Sequence, residues 1–437
     1  MSDHKKERGI RELYAEDPER ADWLVFGRVP DQGRRGFLKG AGLAAMAAAV
    51  GASIPFARHL PAGLIPAALA DTTTDFAILG KEGLIVRNDR PINLETPPTL
   101  LDADVTPIKH FFVRNNGLLP EPVADPDAWS FTIDGEVENP LTLSVADLKR
   151  DFENITIQAQ LECGGNGRAG YNPPARGNQW ALGAVGNGEW TGVRLAEVLN
   201  KAGLKPSAVY TGHYGADPHL SQDPNKPSIS RGVPIAKAMN PYTMLVWGMN
   251  GEPLPYLNGG PLRVLAPGWP GSCSQKWLTR IWVRDRIHDG PGMTGMSYRM
   301  PRHRVAPGTK VPTSEMEIMQ SMPVKSVITF PDTNVKVSAS RPLEVRGHAW
   351  AGDRDVKEVY VSIDYGASWQ RANLAAPANK YAWQRFSAAV QFPDSGYFEI
   401  WARAVDDAGI SQPMVVPGWN PRGYLNNSCH RIAVVAA

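Results

Sequence analysis

The chain has 437 residues, 43% of them hydrophobic and 21% charged, which is enough apolar material for more than one core. Its 46 basic and 44 acidic residues leave a formal charge of +2, so no overall field favours nucleic acid or an anionic membrane surface. The three cysteines form neither CxxC nor CxxCH and the nine histidines form no HExxH, which argues against a zinc ribbon, a thioredoxin-type site and covalent c-type haem.

In chain order, a polar stretch to Gly33 leads into Arg34-Arg35-Gly36-Phe37-Leu38-Lys39 and then an Ala/Gly-rich apolar run ending at Ala68-Leu69-Ala70. This reads as a twin-arginine export signal, residues 1–70, cleaved near Ala70 to leave a periplasmic protein. A membrane anchor is the competing reading, but Arg58, His59 and prolines break the apolar stretch before it spans ~20 residues. No later segment reads as transmembrane. Proteins taking that route are exported folded, often around a cofactor inserted beforehand, so the address itself points to a buried cofactor. An odd cysteine count in an exported chain also leaves at least one thiol unpaired.

Residues 71–312 mix short strands, Gly/Pro-rich loops and a few short amphipathic helices. Ser144 is the N-cap of one helix. A second runs from about Val193 to Ala202, with Val193, Ala196, Val198, Leu199 and Ala202 on one face and Gly203 as its stop. Residues 313–324 read as a linker. Beyond Lys325 the pattern turns to strands, and Val356 to Ile363 and Phe398 to Val405 alternate with period two. Turns at Tyr365-Gly366 and Asp394-Ser395-Gly396 separate such runs, so residues 325–437 are expected to form an immunoglobulin-like β-sandwich. The fold class is α+β.

The chemistry concentrates in Leu161-Glu162-Cys163-Gly164-Gly165-Asn166-Gly167-Arg168. Glycines permit close backbone approach, and an arginine five residues on favours a thiolate. By itself this is either a structural Gly-rich loop or a loop presenting a thiolate to a bulky ligand. It is neither a dinucleotide fingerprint nor a Walker loop.

Cys163-Gly164-Gly165-Asn166-Gly167-Arg168 resembles the Cys-x-Gly-Asn-x-Arg stretch of the sulfite oxidase family, and His110-Phe111-Phe112-Val113-Arg114-Asn115 resembles its Phe-x-Arg-Asn segment. Trp180 and Trp190, Met249 to Pro255, Pro261 to Val264, Lys276-Trp277-Leu278, Ser297-Tyr298-Arg299 and Trp419 to Gly423 match further stations in order. The resemblance implies a molybdopterin domain of that family followed by the sandwich, with molybdenum held by Cys163, a soft thiolate ligand. It makes Arg114, Arg168, Trp180, Tyr298 and Arg422 the substrate pocket, since guanidinium forks suit a small dianion. It places Asn115, Asn116, Asp217, Asn258, Arg263, Gln275 and Lys276 on the cofactor, with Arg263 and Lys276 as phosphate partners. Asn116 and Asn258 stand where the animal proteins have histidines, so pH behaviour tied to those histidines is not expected to carry over.

The function so implied is oxidation of sulfite to sulfate, with two electrons leaving to a separate c-type cytochrome. Only about 40 residues separate Asp71 from the first family segment, without cysteine or histidine before His110, so no haem domain is expected in the chain. A homodimer through the sandwich is expected by the same resemblance. The alternatives are a sulfane dehydrogenase molybdenum subunit of a sulfur-oxidising multienzyme system, and a non-catalytic exported binding protein.

Overall fold

Strand patterns dominate the sequence, and strands dominate the fold. The computed structural model of the protein describes residues 80–437, so the expected export signal lies outside the described residues. Ahead of the catalytic segments, a three-stranded antiparallel sheet joins Ile85–Asp89, Ile92–Glu95 and Val113–Arg114, which fixes Arg114 at a strand end.

Two five-stranded sheets follow. In the first, Ile155–Glu162 pairs with Val185–Arg194, which pairs with Met244–Met249, and that strand also takes Glu252–Pro253 and Arg263–Leu265. In the second, Leu278–Arg284 lies between Ser130–Gly135, its parallel partner, and Tyr210–Gly215, with Leu141–Ser144 and Ser230–Arg231 at the edges. A shared core of Phe131, Ile133, Leu148, Val198, Leu245 and Ile281 fills the space beside them. A second cluster, with Phe111, Trp180, Trp190 and Leu161, surrounds Cys163.

The helices are short, and each is bounded by local signals. The first, Val145–Asp151, starts at the expected N-cap: the Ser144 hydroxyl accepts from the Asp147 amide and the Asp147 carboxylate accepts from the Ser144 amide. The second is Leu195–Ala202, stopped by Gly203 at φ 72°. It begins later than its sequence pattern indicates. Val193 belongs to the preceding strand, where it pairs with Leu245, and Leu195 rather than Ala196 faces the core. None of the described helices is long and apolar enough to cross a membrane.

From Lys325 the chain builds two sheets around one core. Lys325–Phe330, Leu343–Trp350, Gln384–Val390 and Asn373–Leu374 form one; Val335–Val337, His430–Ala436, Gly396–Asp406, Val356–Ser362 and Gln370–Arg371 form the other. Both supply Val345, Val359, Phe386, Ile400 and Val434 to the space between. The Tyr365-Gly366 turn has φ of 57° and 83°, the two positive angles of a tight hairpin turn. The stretch read as a linker is not a bare connection: Met316–Ile318 is a strand, paired with Arg299–Pro301. The hairpin so formed carries Tyr298 at its entrance.

The two halves are locked by a buried ion pair. Glu162, 1% exposed, accepts from the Lys325 ammonium at 3.0 Å, from Asn166 at 3.0 Å and from the Trp350 indole at 2.8 Å. Removing either charge would leave its partner desolvated and unpaired, at a cost of roughly 3–5 kcal/mol. This lock ends one residue before Cys163, so the strands of the second half hold the start of the cysteine loop.

Several histidines are buried as neutral rings. Burial pushes His213 down to about 3, and His288, His348 and His430 down to about 4. Between pH 6.5 and 4 the unfolded chain therefore binds protons that the folded chain refuses. The stability these rings contribute is complete above pH 6.5 and is lost as pH falls toward 4. His348 stacks on Trp383 at 4.0 Å, and His348→Gln should remove up to about 3 kcal/mol of the acid-side pH dependence. Urea unfolding at pH 4.5 and 7.5 measures this, and an unchanged difference between the two would count against it.

Candidate active site

Strand Ile155–Glu162 stops where the glycines begin. The Cys163 amide donates to the Ala184 carbonyl at 2.9 Å, and the Cys163 carbonyl accepts from the Asn166 amide at 2.8 Å. Asn166 pins the turn from both sides, donating to Glu162 and accepting from the Ala184 amide at 3.1 Å. Gly165 faces the Arg168 guanidinium so closely that a Cβ would collide with it, and Gly167 sits at φ 92°. Cys163 is thereby held as a free, buried thiol facing a cavity.

That cavity brings together most of the predicted site: Arg114, Asn116, Cys163, Asp217, Asn258, Arg263, Gln275, Lys276 and Tyr298 all line it. Asn116 links two of them, its side-chain oxygen accepting from Arg114 at 2.6 Å and from the Tyr298 hydroxyl at 3.0 Å. Arg263 is held by the carbonyls of Asn258 at 2.6 Å and Ser274 at 2.9 Å, with its guanidinium over the Trp190 ring.

Arg168, Trp180, Arg422 and Asn115 stand outside the lining. The Arg168 guanidinium donates twice to backbone, Nε to the Arg422 carbonyl at 2.6 Å and Nη1 to the Asn178 carbonyl at 2.7 Å. Arg168 thereby ties the Arg422 segment to the cysteine loop. Trp180 is fully buried with an indole N–H that has no partner among the described residues. Arg422 is half-buried and engages Arg168 through its carbonyl. Asn115 accepts from the Lys276 ammonium and donates to the Ile92 carbonyl at 3.1 Å, which orients Lys276 rather than the cavity wall.

The charges do not balance. The lining holds three cations, Arg114, Arg263 and Lys276, against one carboxylate, Asp217. Burial pushes Arg263 down to about 9 and Lys276 well below the usual ammonium range, and it raises Asp217 to about 6 despite an accepted bond from Ser228. Behind the lining stands Lys81, which sequence reading missed: it donates to the Asn258 side chain at 2.9 Å and to the carbonyls of Ile108 and Phe111, and burial lowers it to about 7. No motif signals Lys81, because its contact with Asn258 spans 177 positions of sequence.

A polyanion suits this pocket. Among the described residues no three His, Cys, Asp or Glu side chains converge as a metal cage. A metal at Cys163 would therefore need its other ligands from a small molecule. Among the described residues the buried Gln275 side-chain oxygen has no hydrogen-bond partner, which suits it to accept from such a molecule. A cofactor with a soft metal, hydrogen-bonding edges and a phosphate fits the residues present.

The comparisons agree. Residues 118–291 match the oxidoreductase molybdopterin binding domain, and residues 316–437 match the Mo-co oxidoreductase dimerisation domain. Chicken (Gallus gallus) sulfite oxidase is 33% identical over 368 residues, covering 80% of this chain and 77% of that protein. The chain belongs to the sulfite oxidase family. Sulfite oxidase of Arabidopsis thaliana is 31% identical over 375 residues, with 80% and 93% covered. The mitochondrial sulfite oxidase of Rattus norvegicus is 33% identical over 373 residues, and this chain spans only 65% of its length. Among structures, that of the sulfane dehydrogenase SoxCD from Paracoccus pantotrophus superposes with a TM-score of 0.64 at 27% identity, covering 80% of this chain and 86% of the other.

Within this family member the thiol assignment is testable. Cys163→Ser should fold normally but retain little molybdenum, since a hydroxyl is a poor substitute for a soft thiolate ligand. Cys273 and Cys429 are buried away from the cavity lining, and their serine variants should keep the metal. Metal analysis of the purified proteins decides; equal loss in all three would make the thiols structural.

Proposed function

We propose that this protein is an exported sulfite dehydrogenase without haem of its own. It takes sulfite and water to sulfate, two protons and two electrons, and the electrons pass singly to a separate c-type cytochrome. The observation that carries this reading is the meeting of Arg114 and Tyr298 on Asn116 within a cavity that is rich in cations and contains the Cys163 thiol. A molybdenum-molybdopterin group, bound through Cys163 with Arg263, Lys276 and Lys81 toward its phosphate, would supply the two-electron oxygen-atom transfer.

The protein's own residues handle the anion. Arg114 contributes charge and a fork of donors, and the Tyr298 hydroxyl adds a neutral donor by turning its single proton from Asn116 to the anion. Asn116 holds both donors toward one point and does not titrate near neutrality, so this arrangement persists across the physiological range. The low-dielectric wall of Phe111, Phe112 and Leu161 strengthens the attraction.

The Arg34-Arg35 leader supports export to the periplasm, and the cysteine spacing supports a haem-free chain. The catalytic unit is read as residues 71–312 and the second unit as an immunoglobulin-like sandwich, residues 325–437, through which two copies pair; the dimerisation-domain match supports the pairing. A second reading, a sulfane dehydrogenase subunit, is favoured by the likeness to SoxCD.

The purified protein should carry one molybdenum per chain, show no haem absorbance, and oxidise sulfite with ferricyanide or an added c-type cytochrome. Arg114→Gln should raise KM for sulfite by about 10- to 150-fold, the equivalent of roughly 1.5–3 kcal/mol for a lost charge-assisted contact. Inactivity on free sulfite, with turnover only in the presence of a sulfane carrier, would favour the second reading. Stoichiometric hydrogen peroxide at the cytochrome-supported rate would make the chain an oxidase instead.

A further inference from the structure

Tyr298 occupies the left-handed backbone region at φ 55°, where a bulky L-residue is rare unless its surroundings hold it there. What surrounds it is a row of planar groups. The Tyr424 ring stacks on the Tyr298 ring, with centroids 5.7 Å apart and planes 16° from parallel. The Arg231 guanidinium lies over Tyr298 at 4.8 Å, and the Arg168 guanidinium lies over Tyr424 at 5.1 Å.

Arg231 is the anomaly in this row. It is 1% exposed and makes no salt bridge among the described residues, although a buried cation ordinarily requires a counter-charge. Its guanidinium donates instead to the Ser272 hydroxyl at 2.8 Å, the Met319 carbonyl at 3.4 Å and the Met293 sulfur at 3.5 Å. The electron-rich face of the Tyr298 ring supplies what electrostatic compensation remains. The Met319 amide in turn donates to the Tyr298 carbonyl at 3.0 Å, so one residue is gripped by both members of the pair.

Tyr424 is equally fixed. Its amide donates to the Asn420 side chain at 3.0 Å, and its carbonyl accepts from the Tyr171 hydroxyl at 2.7 Å. Its own hydroxyl accepts from the Tyr298 amide at 3.3 Å. Neither Arg231 nor Tyr424 lines the cavity, whereas Tyr298 does.

We infer that Arg231 and Tyr424 are positioning residues for Tyr298: the stack holds its strained backbone so that the hydroxyl stays in the cavity beside Asn116, where its proton can turn to the substrate anion. Without the stack, Tyr298 relaxes toward ordinary backbone angles and its hydroxyl leaves the cavity. The inference rests on the sulfite reading only for the choice of substrate.

The test is a double-mutant cycle on the molybdenum-loaded enzyme. Tyr424→Leu should raise both KM for sulfite and the dissociation constant of sulfate, read by calorimetry, roughly three- to tenfold, in line with the loss of an aromatic contact. Molybdenum content should be unchanged. Tyr424→Phe, which keeps the ring and loses only the long 3.3 Å bond from the Tyr298 amide, should recover most of the lost affinity, and Arg231→Met should behave as Tyr424→Leu does if it folds. In a Tyr298→Phe background Tyr424→Leu should add nothing further, because the hydroxyl it aims is gone. Multiplicative effects, or a lowered Tm with unchanged anion affinity, would reduce Tyr424 to packing and overturn the inference. A wild type that binds sulfate but does not oxidise sulfite would defeat the functional reading alone, with the stack still judged by sulfate affinity.

Discussion

Burying guanidinium and ammonium groups without enough carboxylates to neutralise them is the constraint on which the catalytic half depends. Arg263 and Lys276 are driven toward their neutral forms by desolvation, and the one carboxylate in the lining, Asp217, is itself driven toward protonation. Such a cavity is electrostatically incomplete until an anion enters it. The backbone carbonyls and asparagine side chains that grip these cations keep them in place meanwhile, so the protein holds a preformed receptor for negative charge.

A second requirement follows from the thiol. A single protein ligand cannot fix a metal unless its loop is rigid, and the Cys163 loop draws rigidity from both halves of the chain. Glu162 is tied to Lys325 and Trp350 from the second half, and the Leu425 amide donates to the Gly164 carbonyl at 3.0 Å. The buried pair is an expensive way to join two units if stability alone is at issue. Placed one residue from Cys163, it also specifies where the loop begins. The second half thus contributes to the site through Arg422, Tyr424 and Leu425 as well as through its own sheets.

Much of this was legible in the residues. The N-cap at Ser144, the stop at Gly203 and the turn at Tyr365-Gly366 are local, since each is decided by neighbours within four positions. The start of the second helix was not, because Val193 suits a helical face and a strand equally until Leu245 appears opposite it. The stretch near Met316 looked like a connection for the same reason: its strand exists only because Arg299–Pro301 lies alongside.

The same division runs through the site. The sequence by itself determined which side chains could do the chemistry: one cysteine among glycines, the arginines, Tyr298, and the asparagines at 116 and 258. Only the tertiary structure decided how each is used. Arg168 and Arg114 read alike in sequence, yet Arg168 donates to the carbonyls of Asn178 and of Arg422, 254 positions away, while Arg114 lines the cavity. Lys81 and Arg231 carried no local signal at all, since what distinguishes them is burial beside groups brought in from far along the chain. Residue type sets which bonds a side chain can make, and long-range packing sets which partners and how much water it meets, so the candidate residues were readable from the sequence and their contacts were not.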